Sequence, residues 1–195
     1  QYTQLITRIL REMGHSSEVI TLDTFVERHN AKNLPQALVL SGGPDSIFTD
    51  PYDYSFIKTL SIPLLGICYG MQLMAKYFGG VVEKGVIGEY GRDEVTLMGS
   101  RGPQKIPKNF SVWMSHSDHV VKMPNDFEQL FKSSNNLNAG MIHRSLPIMG
   151  LQFHPEVHHS DYGDQILKFF LNDVAKLKAD WNQQSMLAEA GEYLK

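Results

Sequence analysis

Apolar residues recur at helical spacing over the first 13 positions of the chain, and Gly14 follows directly after them. The side chains that fit this spacing are Tyr2, Leu5, Ile6, Ile9, Leu10 and Met13. Residues three and four apart lie on one face of a helix, and glycine commonly ends one. The pattern therefore predicts an amphipathic helix that begins at the first residues of the sequence.

Short apolar runs separated by polar segments follow this helix. Four of the runs predict strands, at residues 18–22, 36–40, 62–67 and 148–153. The segments between and after them predict helices: a short one in residues 23–32, one starting at Asp50-Pro51, one over residues 71–78, and one from about Asp161. Strands that alternate with helices indicate an α/β fold, a mostly parallel open sheet with helices on both faces.

The middle third of the chain has a different residue pattern, in which short runs typical of β-strands alternate with turns. The predicted strands here are residues 81–86, 94–97, 110–114, 119–122, 127–131 and 139–142. Such spacing is typical of antiparallel pairing, so a small antiparallel excursion should extend the parallel sheet. Residues 178–195 are polar apart from Trp181 and predict a linker or a C-terminal helix. We therefore expect one domain over residues 1–177.

Composition narrows the classes of partner and compartment. The formal net charge of −3 gives no basic surface for nucleic acid, and no apolar run approaches the ~20 residues of a membrane span. A single cysteine excludes an intrachain disulfide and any CxxC metal site. We expect a cytoplasmic protein that has neither nucleic acid nor membrane as a partner.

The single cysteine lies in the most informative stretch, residues 66–72, Gly-Ile-Cys-Tyr-Gly-Met-Gln. A buried strand precedes it and a predicted helix follows, so Cys68 should occupy a sharp strand-to-helix turn of the kind that holds nucleophiles in hydrolases. The first N–H groups and the partial positive charge of the helix would favour the thiolate and could hold an oxyanion. Alternatively, Cys68 is a small buried apolar residue.

A second stretch supplies partners for such a nucleophile. His154, Pro155 and Glu156 end the last predicted strand, and residues two apart in an extended segment point the same way. His154 could accept the proton of Cys68, and Glu156 could hold the imidazole in the required tautomer. An isolated His-x-Glu sequence is more often an ordinary polar end of a strand. The presence of Cys68 at a predicted strand-to-helix turn, or elbow, in the same chain favours a catalytic triad instead.

Residues 41–46, Ser-Gly-Gly-Pro-Asp-Ser, follow another predicted strand and allow three interpretations. The glycines could offer a backbone N–H to an oxyanion, or the loop could be an ordinary glycine turn. The sequence of the loop also matches the Ser-Gly-Gly-x-Asp-Ser motif of ATP-pyrophosphatase phosphate loops. A phosphate loop needs a helix to start at once, whereas Pro44 and residues 48–51 intervene here, which disfavours the ATP interpretation.

Two further clusters carry polar side chains. Residues 113–118 hold Ser115, Ser117 and Asp118, which could recognise the amide or α-amino group of a substrate. His158 and His159 lie close to His154, but no ligand arrangement accompanies them, so we expect no metal site.

Taken together, residues 66–72 and the stretch Gln-Phe-His-Pro-Glu-Val at 152–157 resemble the class I glutamine amidotransferase family. Three more stretches, residues 88–92, 113–118 and 159–163, are most similar to the glutaminase portion of the GMP synthetases. The opening residues 1–6 fit as well, and the resemblance extends to about residue 185. It implies a class I amidotransferase fold, which is flavodoxin-like.

The resemblance implies hydrolysis of L-glutamine to glutamate and ammonia, with Cys68, His154 and Glu156 as the catalytic triad and a glutamyl thioester as intermediate. Gly43 and Tyr69 would supply the oxyanion N–H groups, and the glutamine pocket would be lined by Gln72, Ser115, Ser117 and Asp118. The ammonia would pass to an ATP-pyrophosphatase synthetase domain or subunit that aminates XMP to GMP. ATP and Mg²⁺ are expected only there, and no cofactor is expected in this domain.

The sequence departs from the family pattern in three ways. Family members usually carry a strand ending in Asp-Phe-Gly-Ser before the stretch that begins at Gln1, so the first strand is expected to be missing. Ser117 stands where glycine is common. No second phosphate-loop stretch follows, and Asp180-Trp181 resembles the start of a connection, which favours a fragment of a two-domain enzyme over a separate subunit.

Three alternatives to this function remain open. The chain could be the glutaminase subunit of a different amidotransferase, or an ATP-binding pyrophosphatase-type domain built on residues 41–46. It could also be a catalytically silent module that retains the motifs and acts by docking.

Overall fold

A computed structural model describes residues 2–43 and 46–181, with no side chains described at 86 and 87. The helices are α1 (Tyr2–Glu12), α2 (Leu22–Asn30), a 3₁₀ helix (Ser55–Thr59), α3 (Tyr69–Tyr77), α4 (Gly163–Phe169) and a π-helical turn (Phe170–Val174). The strands are β1 (Leu38–Leu40), β2 (Leu64–Ile67), β3 (Val81–Leu97), β4 (Asn109–Lys122), β5 (Phe127–Ser133), β6 (Asn138–His143) and β7 (Ile148–Leu151).

The described strands form one sheet in the order β1-β2-β7-β6-β5-β3-β4. The three strands β1, β2 and β7 run parallel, and β7 then pairs antiparallel with β6, which begins the antiparallel part. The mixed α/β sheet confirms the predicted fold class, although the antiparallel part is larger than expected. Its long β3–β4 hairpin joins pairs of predicted short strands into single strands with bulges.

Two hydrophobic clusters cover the two faces of the sheet. Alternate residues of β2 separate between them: Leu65 and Ile67 belong to one cluster, and Leu64 belongs to the other. The first cluster takes residues from α1 and α4, and the second takes residues from α2 and α3. Because successive strand side chains point to opposite faces, this division places helices on both faces, as the sequence predicted.

The strand predicted for residues 18–22 is wrong. Helix α2 already begins at Leu22, where the side chain of Thr21 caps the N–H of Thr24, and residues 15–21 form no ladder with β1. A cavity of about 950 Å³ is lined both by residues 15–22 and by residues 35–42. Residues 15–21 therefore line this cavity beside β1, and among the described residues they have no strand to pair with.

The helix predicted from Asp50 is shorter and later than expected. Residues 47–49 form a turn, and the first helical element is the 3₁₀ helix Ser55–Thr59. The Asp50 carboxylate accepts hydrogen bonds from the N–H of Tyr52 and the hydroxyl of Tyr54. Aspartate that binds local backbone in this way favours a turn over a helix.

The predicted boundary at residue 177 is not tested, because only residues up to 181 are described. Residues 175–181 contain no helix, and the N–H of Trp181 donates to Gly14 at 2.8 Å. The rest of the predicted linker, residues 182–195, lies outside the described residues, as do Gln1, Pro44 and Asp45. Within the described ranges, the structure contains no helix with the length and apolar character that crossing a membrane requires.

Candidate active site

Cys68 occupies the sharp turn between β2 and α3, as predicted. Its backbone has φ 53° and ψ −106°, a conformation that non-glycine residues rarely adopt, and its N–H donates to Leu151 of β7 at 2.7 Å. Strained backbone of this kind costs about 1–3 kcal/mol and persists where the surrounding structure enforces it. The turn therefore holds the thiol at the carboxyl end of the parallel strands.

Two glycines make this turn possible. A Cβ on Gly70 would lie 2.1 Å from the carbonyl oxygen of Leu40, and one on Gly66 would lie 2.6 Å from the carbonyl carbon of Gly70. The first turn of α3 thus packs directly on the backbone of β1. Replacing either glycine by alanine would push the start of α3, and Cys68 with it, away from the sheet.

His154 and Glu156 form a buried pair beside this turn. The imidazole Nδ1 lies 2.8 Å from Glu156 Oε1, and the two residues are 3% and 4% exposed. A carboxylate can only accept, so Nδ1–H is the donor, and Nε2 remains for the thiol. The N–H of His154 donates to the carbonyl of Trp113 on β4, which fixes the end of the strand.

The surroundings of His154 favour its charged form. Burial lowers the pKa of His154, but hydrogen bonds to Cys68 and Glu156, together with their charges, outweigh burial and raise the pKa to about 9. At neutral pH the imidazole is therefore protonated. A protonated imidazole beside a thiol is the environment in which a thiolate is stable.

The loop after β1 lies against this pair. A Cβ on Gly42 would lie 2.9 Å from His154 Cε1 and 3.5 Å from Cys68 Cβ, whereas one on Gly43 would meet nothing within 4 Å. Only a glycine at position 42 therefore leaves room for the imidazole and thiol as they stand. Gly43 is the exposed next residue, and Tyr69 begins α3, where the first N–H groups have no intrahelical acceptor. The oxyanion roles of Gly43 and Tyr69 stay predictions.

The Tyr69 side chain contacts the segment between residues 46 and 55. Its hydroxyl donates a short hydrogen bond to Asp50. Burial and this hydrogen bond raise the pKa of Tyr69, so the hydroxyl remains protonated and available as a donor. This contact ties Tyr69, the residue after Cys68, to the segment that follows residues 41–46.

The predicted glutamine-pocket residues meet on the other side of Cys68. Gln72 on α3 is buried and donates from Nε2 to the carbonyl of Asp118 at 2.8 Å. Cys68 Sγ lies 3.7 Å from the carbonyl of Ser115, which is exposed. Ser117 is exposed as well, and its hydroxyl lies 3.4 Å from Asp118 Oδ1. The structure thus brings these four residues together near Cys68, while their contact with a substrate stays a prediction.

A buried polar network supports this wall of the site from behind. His116 Nδ1 lies 3.0 Å from the carbonyl of Asp118, and its Nε2 lies 3.0 Å from Glu89. Glu89 also accepts hydrogen bonds from Ser133 and Asn135. Burial raises the pKa of Glu89, but the hydrogen bonds from these partners lower the pKa by more than burial raises it. The carboxylate therefore stays charged. The network fixes the backbone that carries Asp118.

Several contacts of the site were not predicted from the sequence. Ser46 donates to Asp118 Oδ2 at 2.6 Å, across 72 residues of chain. The Ser160 hydroxyl donates to the His154 carbonyl at 2.6 Å and accepts from the N–H of Trp113 at 2.9 Å. Gln152 lies 3.8 Å from the thiol. Ser46, Gln152 and Ser160 all lie in stretches that the sequence singles out, but the patterns of these stretches did not indicate the contacts.

The structure gives no support to the interpretation of residues 41–46 as a phosphate loop. Residues 47–49 form a turn, and among the described residues after this loop the first helix begins at Ser55, so it does not follow the loop at once as a phosphate loop requires. In the described residues, His, Cys, Asp and Glu side chains form no group of three that could hold a metal ion.

Comparison with known proteins agrees with this geometry. The family model for glutamine amidotransferase class-I matches residues 1–174, which is most of the chain. The chain belongs to this family. It is a glutamine amidotransferase of class I, and the elbow cysteine and the His154–Glu156 pair lie in the matched region.

Several relatives share a narrower description. GMP synthase [glutamine-hydrolyzing] from Thermosipho africanus is 41% identical over 191 residues, which are 97% of this chain and 37% of the relative. The protein of the same description from Petrotoga mobilis is 44% identical over 184 residues, 93% of this chain and 36% of the relative. The chain thus spans little more than a third of the length of these relatives.

Solved structures show the same fold. A crystal structure from Thermoplasma acidophilum, described as a candidate subunit of GMP synthase, superposes with a TM-score of 0.79 at 30% identity and covers 98% of this chain and 92% of that one. A glutamine amidotransferase from Thermotoga maritima superposes with a TM-score of 0.62 and covers 97% of this chain and 86% of that one. The sequences are 24% identical, so this similarity supports the fold only.

Proposed function

We propose that this amidotransferase hydrolyses L-glutamine to glutamate and ammonia through Cys68, His154 and Glu156. The observation that carries the proposal is the thiol on the strained elbow, beside a buried imidazole whose other nitrogen is held by a carboxylate. Nucleophile, base and orienting group in that arrangement are the requirements of acyl transfer through a covalent intermediate.

In the first step, the thiolate of Cys68 attacks the side-chain amide carbon of glutamine. The N–H groups of Gly43 and Tyr69 receive the developing oxyanion, and the proton on His154 passes to the departing nitrogen. Ammonia leaves, and a glutamyl thioester remains on Cys68. Glu156 keeps Nδ1 protonated throughout, so that proton transfer takes place at Nε2.

In the second step, water attacks the thioester carbonyl and gives a proton to His154. The C–S bond breaks, its electron pair returns to the sulfur, and glutamate leaves. We assign binding of the α-amino and α-carboxylate groups of glutamine to Gln72, Ser115, Ser117 and Asp118. The carboxylate of Asp118 is buried and matches an α-ammonium group, and Ser115 on the same strand has its carbonyl 3.7 Å from Cys68 Sγ.

We further propose that the ammonia serves the amination of XMP to GMP, because relatives that match nearly the whole chain are described as GMP synthases. Those relatives are almost three times as long as the matched region, which leaves room for an ATP- and Mg²⁺-using synthetase portion. That portion is the proposed partner. This domain itself is proposed to need no cofactor and to act in the cytoplasm.

The nucleophile is tested with Cys68→Ala and an affinity label. We expect the variant to release no glutamate while keeping its circular dichroism spectrum and unfolding midpoint. A glutamine-like diazo ketone should alkylate the parent at Cys68, as mass spectrometry of the digested protein would show. Undiminished glutamate release from Cys68→Ala would overturn the mechanism, and an unlabelled parent would mean a silent docking module.

The coupling to GMP formation is tested by adding the synthetase portion of a relative. We expect low glutamine turnover by the domain alone and a rise when the synthetase portion, XMP and ATP are present together. Omitting XMP is the matched control. Equal rates in all conditions would contradict the proposed coupling and would leave glutamine hydrolysis itself standing.

A further inference from the structure

A buried amide lies beside the nucleophile and takes no part in the steps described so far. Gln152 directly follows β7 and is 1% exposed. Its Nε2 lies 3.8 Å from Cys68 Sγ, within the range of an N–H···S hydrogen bond. Gln152 and His154 both lie in the segment directly after β7, which places both side chains next to Cys68.

The other end of this amide has no protein partner. Among residues 2–43 and 46–181, no hydrogen bond reaches Gln152 Oε1, although the atom is buried. A buried acceptor without a partner is unfavourable and rare in native proteins. Packing alone would be served better by an apolar side chain of the same size. The amide contact that the structure does show is made by the donor, Nε2, to Cys68 Sγ.

The remaining neighbours of the sulfur show why a neutral donor matters there. On β4 the carbonyl of Ser115 lies 3.7 Å from Sγ and can only accept, so it loses its partner when the thiol gives up its proton. The loop after β1 brings the backbone of Gly42 close to Cys68. The segment after β7 supplies the charged groups, His154 and behind it Glu156. Gln152 is the donor that stays in place through both charge states of His154.

We propose that Gln152 is a further catalytic residue, whose amide N–H stabilises the negative charge on Cys68 Sγ. The inference rests on the proposed thioester mechanism and adds a role to it. In the second step the C–S bond breaks and its electron pair goes to the sulfur while the water proton goes to His154. At that moment His154 becomes charged only as the proton arrives, whereas the Gln152 N–H already faces the leaving thiolate.

Gln152→Met tests this with a readout that needs no glutamine. Methionine has a similar volume and no donor, and the fold loses no partner of Oε1. Iodoacetamide alkylation of Cys68, followed by mass spectrometry across pH 5–10, reports the thiolate fraction. We expect about tenfold slower alkylation at pH 7 and a midpoint shifted to higher pH, since hydrogen bonds to charged groups are worth about that factor. Gln129→Met on β5 is the matched control and should behave as the parent.

Glutamine kinetics then separate catalysis from substrate binding. A donor to the sulfur acts on the chemical steps, so Gln152→Met should lower kcat by about tenfold and leave KM within twofold of the parent. Parent-like alkylation and kcat in a folded Gln152→Met variant would overturn the proposal. Gln152→Leu provides a second apolar variant if the methionine does not fold.

These outcomes are distinct from a failure of the proposed function. If Cys68→Ala still released glutamate, the mechanism would fall whatever Gln152→Met did to alkylation. If Cys68→Ala were inactive and Gln152→Met unchanged, the thioester mechanism would stand and the role of Gln152 would be refuted. A raised KM with unchanged kcat would place Gln152 in substrate binding and would also refute the proposed role.

Discussion

The imidazole of His154 is held by Glu156, because its Nδ1–H donates to Glu156 Oε1 at 2.8 Å, and Cys68 and Glu156 together raise its pKa. Both residues of the pair are almost completely buried, so water does not compete for this hydrogen bond. Glu156 thereby fixes the tautomer of His154, and in the proposed mechanism proton transfer to and from the substrate depends on that tautomer.

Replacing Glu156 by glutamine should therefore lower kcat strongly. An amide can accept from or donate to Nδ1, so the imidazole is no longer held in a single tautomer and loses the charge that favours its protonated form. We expect kcat to fall by about 10²–10⁴-fold, as is typical of a triad whose carboxylate becomes an amide. Steady-state glutamate release gives the measurement, with KM changed far less.

Glu94→Gln is a suitable control, since Glu94 is an exposed residue on β3 and undergoes the same chemical change. Its kcat should equal that of the parent. A Glu156→Gln variant that keeps a tenth or more of the parent activity would show that Glu156 does not orient the base.

The raised pKa of His154 also predicts how stability depends on pH. The folded-state value of about 9 lies above the ordinary value of 6.5, so protonation of His154 stabilises the folded state. That contribution is fully present below about pH 6.5 and is lost as the pH rises through about 9. We expect the free energy of unfolding to fall over this interval, measured by urea titration at each pH.

His154→Gln should remove most of this fall, because the titrating group is gone. Glu156→Gln should reduce it, since one of the two hydrogen bonds that favour the imidazolium is weakened. If the parent and His154→Gln showed the same pH dependence between pH 6.5 and 9, the assignment of the raised pKa to His154 would be wrong.

Local sequence patterns predicted the turn that holds Cys68 and the position of His154 and Glu156 after the last strand, while their catalytic roles stay predictions. The strand, turn and helix around Cys68 follow from glycines and apolar residues within a dozen positions, and His154 and Glu156 lie two residues apart at a strand end. The structure brings these two stretches together through the parallel pairing of β2 with β7, in which Gly66 lies opposite Gly150. Such pairing follows from the α/β order of elements.

Features that depend on distant contacts were not predicted. The run 18–22 contains three consecutive β-branched residues, which favour a strand, but a strand requires a neighbour with free backbone groups. The sequence does not reveal whether such a neighbour is present. Similarly, Ser46 meets Asp118 and Gln152 meets Cys68 only because the fold closes loops of 72 and 84 residues. A short sequence motif cannot predict a hydrogen bond between residues that are so far apart in the chain.

Gly42→Ala should impair catalysis by moving the base. The new methyl group would lie 2.9 Å from His154 Cε1, a distance that Cβ contacts essentially never show, so the imidazole must shift. A displacement of about 1 Å in a catalytic group can cost about 10²-fold in rate. We expect a loss of that size in kcat, together with a changed imidazole resonance of His154 in NMR spectra.

Gly43→Ala is the steric comparison, because a methyl group there meets nothing within 4 Å. It should retain the parent's unfolding midpoint and His154 resonance. An unchanged His154 resonance and kcat in Gly42→Ala would show that the loop yields instead of the imidazole.

Ser46→Ala tests the wall of the proposed glutamine pocket. The hydroxyl of Ser46 donates to Asp118 Oδ2 at 2.6 Å and fixes the carboxylate that we assign to the α-ammonium group. Losing a hydrogen bond to a charged group should raise KM for glutamine by up to about tenfold, with kcat changed little. Ser145→Ala, at an exposed turn, is the control. An effect on kcat alone would place Ser46 in catalysis instead of binding.

The cavity beside β1 leads to a prediction about stability. Within the described residues β1 is the end strand of the sheet, and the cavity of about 950 Å³ lies between its free edge and residues 15–22. Helix α1 starts at the carboxyl end of β1, where Thr3 Oγ1 donates to Ser41 Oγ at 3.0 Å. A strand parallel to β1 would end at that place and continue into α1 through a short turn, with the right-handed crossover that such units adopt.

We therefore expect that six β-branched apolar residues and a short glycine-containing turn, added before Gln1, pair with β1 and fill the cavity. Burial of their side chains outweighs the cost of ordering them, and the free energy of unfolding should rise by at least about 2 kcal/mol. Urea titration measures this gain, and hydrogen exchange of the β1 amides should slow. An added segment of the same length made of glycine and serine is the control, because it cannot fill the cavity with apolar side chains. Equal stability of the two extended chains would show that the cavity does not accept a strand.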